Sequence, residues 1–196
     1  MEKLSKKIFT YRSYTPIPFV IVMLTYQQSN VWSLPIGLLI AVCGELIRLW
    51  AVSWAGSETR TTGKVGGTYL VINGPYAHVR NPLYVGNILI YFGLGIMSFA
   101  LFPYLQILAL AFFVFQYYEI IKEEEGFLRE KFGNDFAEYF KNVPKIFPRL
   151  SPYKKEGVEQ PEYDIKKGLR SERRTLQAFS IVAITLILLW FFRRMS

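Results

Sequence analysis

The residues best suited to chemistry lie in the stretch 74–86, which reads GPYAHVRNPLYVG. Its first two residues, Gly-Pro, are typical of a turn, Arg80 is a permanent cation, and Pro82 suits the first turn of a helix. An almost uncharged run at 83–101 follows. The stretch is therefore expected to be a polar loop fixed at the mouth of a membrane helix.

An acidic triplet, Glu123 to Glu125, lies two apolar segments further along the chain. The segments 83–101 and 103–121 are each near the roughly 20 residues that cross a bilayer, so a tight hairpin brings the triplet back to the side of the loop. An acidic triplet alone is typical of a solvated helix start. Its pairing with the polar loop is what makes Glu124 a candidate for ligand binding.

The elements that position these residues are membrane helices. The chain is 52% hydrophobic and 17% aromatic, which is typical of a membrane protein. Apolar spans are expected at 11–26, 34–55, 83–101, 103–121 and 176–192. They predict an all-α integral membrane protein with about five transmembrane helices and a pocket formed by loops and an amphipathic helix after the hairpin of helices three and four.

The chain divides by composition into four segments. They are a basic arm with the first membrane helix (1–33), a core with the loop and the acidic triplet (34–150), a charged and partly disordered tether (151–174), and a last membrane helix (175–196). Within the core, an amphipathic stretch after the triplet is interrupted at Gly133. We expect it to fold back on the membrane surface and cover the loop around Arg80.

The distribution of charge predicts the orientation. Most of the 23 basic residues fall in the N-terminal arm, the loop between the second and third helices, and the tether. The positive-inside rule then places the N-terminus and the pocket in the cytoplasm. The net charge of +8 is thus explained by topology and by contact with anionic lipid headgroups, and no nucleic-acid partner or metal site is predicted.

Three further features leave alternatives open. Glu45 and Arg48 lie three apart inside a membrane span, either as an ion pair within one helix or as the polar wall of a ligand site. His78, the only histidine, is expected to contact headgroups or solvent and not to act as a general base. The glycines of the third helix, such as Gly86 and Gly93, favour close helix packing, with lipid entry along the same face as the other interpretation.

Two motifs carry a resemblance to a known family. They are LVxxGPYxxVRNPxYxG and, after two helices, EExxLxxxFGxxFxxY followed by VPxxxP. In this order and spacing they resemble the isoprenylcysteine carboxyl methyltransferases and the related phospholipid N-methyltransferases, over about residues 37–150. The resemblance implies an integral membrane enzyme that transfers a methyl group from S-adenosylmethionine to a lipophilic acceptor. Carboxyl O-methylation of an isoprenoid or other lipid-like acceptor is favoured, and N-methylation of a phospholipid is the other reading.

The resemblance also implies which residues contact the cofactor. Position by position, they are Thr68, Tyr69, Leu70, Val71, Tyr76, Asn81, Pro82, Leu83, Tyr84 and Glu124. Asn81 stands where the family usually has histidine, and Ile120 stands where the isoprenylcysteine enzymes have an arginine associated with substrate. No catalytic residue is assigned, although Arg80 is expected either to meet an anionic acceptor or to brace the loop.

Two other functions remain open at this point. One is an NADPH-dependent membrane reductase of steroids or lipids, because such enzymes share a distantly similar helical end. The other is a non-enzymatic membrane scaffold held by the charged tail. Binding of S-adenosylmethionine, of NADPH or of neither cofactor distinguishes the three.

Overall fold

The structure is a computed structural model that describes residues 11–56 and 68–195. It contains five α-helices in these ranges: α1 Pro16–Thr25, α2 Ser33–Ala55, α3 Pro82–Ser98, α4 Tyr104–Asn142 and α5 Ile165–Met195. A 3-10 turn, Gly74–Ala77, precedes α3. The N-terminal lysines and the basic residues Arg60 and Lys64, which support the predicted orientation, lie outside the described residues, as does most of the glycine-rich loop.

The prediction of an all-α integral membrane protein is confirmed. Helices α2, α4 and α5 are long and apolar enough to cross a membrane, whereas α1 and α3 are shorter apolar helices of 10 and 17 residues. Helix α1 is short because it begins only at Pro16 and ends before the polar residues that follow Tyr26. Helix α3 ends where Phe99 adopts a left-handed conformation with φ of 52°. The five predicted spans are thus five helices, three of them of full crossing length.

Glycines bring α2 and α3 into close contact. A Cβ atom built on Gly44 of α2 would lie 2.6 Å from the carbonyl oxygen of Gly86, and one built on Gly93 of α3 would lie 2.6 Å from that of Gly37. Neither distance is tolerated by a side chain, so only glycine fits. The packing interpretation of the α3 glycines is confirmed, and a lipid path along this face is wrong because α2 occupies it.

Helix α4 passes from an apolar part into a charged part without a break at the boundary between them. Its apolar part runs to Ile121 and its charged part from Lys122 to Asn142, with Gly133 at φ of 50° and ψ of −119° marking the predicted interruption. The apolar face of the charged part packs into a cluster that includes Leu70, Ile72, Phe136, Tyr139, Val143 and Tyr153. The segment thus covers the chain that precedes the loop, with its apolar face buried in protein.

The charged stretch 151–174 is more ordered than expected. Helix α5 already begins at Ile165, and the side chain of Gln160 hydrogen-bonds to the backbone of Leu70 and Ile72. The backbone N–H of Asp164 donates to the carbonyl of Ser53 at 2.9 Å. These contacts attach the residues just before α5 to Leu70, to Ile72 and to the end of α2 that is predicted to face the cytoplasm. The division of the chain into four segments stays a prediction.

Candidate active site

A cavity of about 860 Å³ lies between α1, α3, α4, α5 and the loop before α3. Its polar end is lined by Tyr76, Arg80, Asn81, Tyr84 and Glu124. Its apolar end is lined by Ile17 and Ile21 of α1, Ile90 and Leu94 of α3, and Phe179 and Val182 of α5. A cavity of this size accommodates a cofactor together with part of a second ligand.

The polar loop and the acidic triplet meet at the polar end. The Tyr84 hydroxyl donates a hydrogen bond of 2.6 Å to Oε1 of Glu124. Burial raises the pKa of the Glu124 carboxyl, while the hydrogen bond from Tyr84 and the charge of Arg12 pull it down. Burial also raises the pKa of the Tyr76 phenol, which therefore stays neutral and able to donate. The polar end thus offers a carboxylate and a phenol to a ligand.

Arg80 is held by internal partners. Its Nε donates to Oε1 of Glu125 at 2.9 Å, its Nη1 donates to the carbonyls of Phe140 and Val143, and its guanidinium lies 4.1 Å from the centre of the Phe140 ring. Because these contacts engage Nε, Nη1 and one face of the guanidinium group, they favour loop bracing over acceptor binding for Arg80. The acidic pair is therefore divided: Glu124 lines the cavity, and Glu125 holds the loop.

The start of α3 is placed at the cavity by the segment after α4. The Nδ2 group of Asn81 donates to the carbonyl of Lys145 at 3.2 Å, and the backbone N–H of Arg80 donates to the carbonyl of Pro144 at 2.9 Å. Pro82 occupies the first helical turn, and Leu83 joins it in lining the cavity. The structure thus brings six of the ten expected cofactor residues together: Tyr76, Asn81, Pro82, Leu83, Tyr84 and Glu124.

The other four expected residues do not line the cavity. Leu70 is buried in the cluster beneath α4, and its carbonyl accepts a hydrogen bond from Gln160. Thr68 is exposed, and Tyr69 and Val71 are partly buried. The segment 68–72 is thus attached to Gln160 in the stretch before α5, outside the lining of the cavity.

A buried ion pair forms part of the cavity wall where the polar end meets the apolar end. Arg48 of α2 donates from Nη2 to both carboxylate oxygens of Glu172 at 2.8 and 2.9 Å, and Glu172 is fully buried. Nη1 of Arg48 donates to Oδ1 of Asn87 at 2.6 Å. All three residues line the cavity, so Arg48 belongs to the wall of a ligand cavity and joins α2 to α5.

The pairing with Arg48 determines how Asn87 presents its amide. A guanidinium can only donate, so the oxygen of the Asn87 side chain must face Arg48. The Nδ2 group of Asn87 makes no hydrogen bond to any residue in 11–56 or 68–195. It is thus available as a donor where the polar end meets the apolar end.

Sequence reasoning missed Asn87 and Glu172. Asn87 follows Tyr84 by three residues and shares its helical face, which is a signal that identifies it. Glu172 lies in the charged run SERR, where nothing distinguishes a buried carboxylate from a solvated one.

Comparison with known proteins finds a family whose sequences match much of this chain. The phospholipid methyltransferase family matches residues 32–135, which contain α2, α3 and most of α4. No solved structure matches the chain.

Curated relatives fall into two groups. The chain is 35% identical over 149 residues to the cobalt-zinc-cadmium resistance protein CzcN of Cupriavidus metallidurans, covering 72% of this chain and 64% of the relative. It is 34% identical over 154 residues to the nickel-cobalt-cadmium resistance protein NccN of Alcaligenes xylosoxydans, covering 69% of this chain and 71% of the relative. It is also 33% identical over 129 residues to the protein-S-isoprenylcysteine O-methyltransferase of Xenopus laevis, covering 64% of this chain but 44% of the relative.

Proposed function

Because the chain belongs to the phospholipid methyltransferase family, we propose that it transfers a methyl group from S-adenosylmethionine to a lipophilic acceptor in its membrane. The observation that carries the proposal is a single cavity with a polar end at the helix mouths and an apolar end between membrane helices. A methyl donor and a lipid need these two environments side by side. Family membership favours methyl transfer over NADPH-dependent reduction or a scaffold.

The polar end suits the cofactor. When bound, S-adenosylmethionine supplies a methyl group on a sulfonium, a carbon already activated for displacement. Glu124 would accept hydrogen bonds from ribose hydroxyls or the ammonium group, and Tyr76 and Tyr84 would line the adenosyl part together with Asn81, Pro82 and Leu83. Contact with Thr68, Tyr69, Leu70 and Val71 stays a prediction from the family resemblance.

The apolar end suits a lipid tail. Ile17 and Ile21 of α1 line the cavity on one side, and Phe179 and Val182 of α5 line it on the other. Both isoleucines are at least half exposed, so the cavity wall at α1 is continuous with the lipid-facing surface. We propose that the acceptor enters between α1 and α5, because α2 covers the glycine face of α3.

The junction, where the polar end of the cavity meets the apolar end, suits an acceptor oxygen. Asn87 offers two N–H donors there, and Arg12 and Arg174 add positive charge to the cavity lining. These groups stabilise an anionic head, which favours carboxyl O-methylation over N-methylation of a phospholipid. Ile120, which replaces the family's substrate-linked arginine, is fully buried against α3 and takes no part. The acceptor is thus proposed to be a lipid-like carboxylate, and a prenylcysteine is not specified.

No base is required in this scheme. An ionised carboxylate is already a nucleophile, so the residues need only align it with the methyl group and exclude water. Tyr84 and Tyr117, whose ring centres are 4.8 Å apart, narrow the cavity near Glu124. By the positive-inside rule, we propose that the polar end and the N-terminus face the cytoplasm.

The test is a direct comparison of ligands. Purified protein in lipid nanodiscs is titrated by calorimetry with S-adenosylmethionine and, separately, with NADPH. We expect S-adenosylmethionine alone to bind, and selective NADPH binding would overturn the proposal. Membranes containing the protein are then incubated with methyl-labelled S-adenosylmethionine, and mass spectrometry of the labelled lipid identifies the acceptor.

A further inference from the structure

The loop 145–150, which follows α4, carries two of the most exposed large apolar side chains in the described chain. Phe147 is 84% exposed and Leu150 is 100% exposed. Exposing such side chains to water is unfavourable, because apolar surface is stabilised by removal from water. Unlike the lipid-facing residues of α2, α4 and α5, they are not on a membrane helix, so their exposure needs an explanation.

Contacts with α2 fix the depth of this loop. Trp50 lies in the last two turns of α2 (Ser33–Ala55) and is 43% exposed. Its ring centre is 6.3 Å from that of His78. His78 in turn holds Arg149, because its Nδ1 is 2.8 Å from the Arg149 carbonyl oxygen and its own carbonyl accepts the Arg149 N–H at 2.9 Å. Arg149 therefore lies level with the end of a membrane helix, where tryptophan is enriched at the interface with water.

The charge around the loop matches an anionic surface. Between Tyr139 and Lys155 the chain contains no aspartate or glutamate and five basic residues. Lys145 pairs with Glu125 of α4, and Lys155 pairs with Asp135 and Glu138. The other three are Lys141, Arg149 and Lys154. Basic residues near the membrane are attracted to anionic headgroups. Exposed aromatic and aliphatic side chains among cations are the composition of a segment that lies in the interface.

We propose that loop 145–150 is a membrane anchor, in which Phe147 and Leu150 insert at the headgroup boundary of an anionic leaflet. This assignment depends on the exposure, depth and charge of the loop. It does not depend on the proposed methyl transfer.

The anchor is directly attached to the cavity. Pro144 and Lys145 accept the hydrogen bonds from Arg80 and Asn81 that hold the start of α3. The carbonyl of Val143 binds the Arg80 guanidinium as well. A loop fixed in the membrane surface thus steadies two residues that line the polar end, so lipid composition is expected to influence ligand affinity there.

Spin labelling measures the depth of the loop. A nitroxide is attached to Leu150→Cys in a Cys43→Ala background, and a matched label is placed at Glu130→Cys, an exposed position on the charged part of α4. Each protein is reconstituted in nanodiscs of phosphatidylglycerol or phosphatidylcholine. Collision with oxygen and with a water-soluble nickel chelate is measured by electron paramagnetic resonance.

We expect the ratio of oxygen to nickel accessibility to be several-fold higher at position 150 than at position 130, and higher in phosphatidylglycerol than in phosphatidylcholine. Equal ratios at the two positions would overturn the anchor. A high ratio that is the same in both lipids would overturn the requirement for an anionic leaflet. Neither measurement uses cofactor or acceptor, so failure of the anchor is distinguishable from failure of the proposed function.

Discussion

The polar and apolar ends of the cavity are built from different parts of the chain. Tyr76, Tyr84 and Glu124 of the polar end lie within residues 32–135, the part that matches the phospholipid methyltransferase family. At the apolar end, α1 and α5 lie outside the matched part. The difference indicates that the polar end, proposed to hold the cofactor, belongs to the part of the chain that matches the family, whereas much of the apolar end, proposed to hold the acceptor, is made by flanking helices.

The two ends also differ in how they are held together. The polar end is held by hydrogen bonds and ion pairs, such as those from Tyr84 to Glu124 and from Arg80 to Glu125. The apolar end depends on hydrophobic side chains of separate helices, and the ion pair of Arg48 with Glu172 joins the two regions. Variants at each place should therefore affect different properties.

The largest effect is expected at the ion pair between the two ends. Glu172→Ala leaves the Arg48 guanidinium buried without its carboxylate, and such a loss typically costs about 3–5 kcal/mol. We expect a marked fall in the midpoint of thermal unfolding in detergent. The double variant Arg48→Met/Glu172→Leu should regain most of that stability, because no charge is left buried, but it should not regain activity, because Asn87 loses its partner. Equal midpoints for the single variant and the wild type would contradict the role given to the pair.

The next largest effect is expected at the polar end. Glu124→Ala removes a carboxylate whose hydrogen bonds to a ligand are worth about 1.5–3 kcal/mol, so the Kd for S-adenosylmethionine should rise at least tenfold in calorimetry. Glu130→Ala is the matched control, because that carboxylate is exposed on the same helix. An unchanged Kd for Glu124→Ala would show that the polar end is not the cofactor site.

A smaller and more selective effect is expected at the junction. Asn87→Asp keeps an acceptor for Arg48 but replaces the N–H donors with a second oxygen. We expect kcat/KM for a carboxylate acceptor to fall about tenfold, with the Kd for S-adenosylmethionine unchanged, because one charge-assisted hydrogen bond is lost and repulsion is added. Leu89→Ala, another substitution in α3, serves as a control for loss of kcat/KM that any change in this helix would cause. A parallel loss of cofactor binding would assign Asn87 to the polar end instead.

The smallest effect is expected at the apolar end. Ile21→Trp adds volume to the α1 wall and should shift preference toward acceptors with shorter tails, at little cost in stability since the position is 58% exposed. Competition between acceptors of two chain lengths in one assay measures the shift. If the preference does not change while activity persists, the acceptor enters elsewhere.

Sequence patterns were sufficient for the helices and for much of the site. Long, mostly apolar runs define α2 and the membrane part of α4, and hairpin geometry is enough to bring Glu124 to Tyr84. The position of the segment containing Leu70 was not predictable in the same way. An extended stretch has no helical period, and its partner Gln160 lies in a charged coil 90 residues away.

Long-range polar contacts were the other feature that could not be predicted from the sequence. The Arg48 side chain requires a partner inside the membrane, a need that the sequence reveals. Which carboxylate supplies it depends on where α5 packs against α2, and the two residues are 124 positions apart. Periodicity describes one helix at a time, so it does not identify such a partner.

The continuity of α4 between Ile121 and Glu124 links the proposed reaction to bilayer thickness. Glu124 follows the last apolar residue, Ile121, by three residues of one helix, a rise of about 4.5 Å. The polar end is therefore held at a set height above the hydrocarbon, whereas the headgroups of surrounding lipids rise or sink with the length of their acyl chains. Hydrophobic mismatch would thus become a variable of the proposed reaction, since a thicker or thinner membrane would carry the acceptor's head past the level at which Asn87 and the cofactor are proposed to meet it.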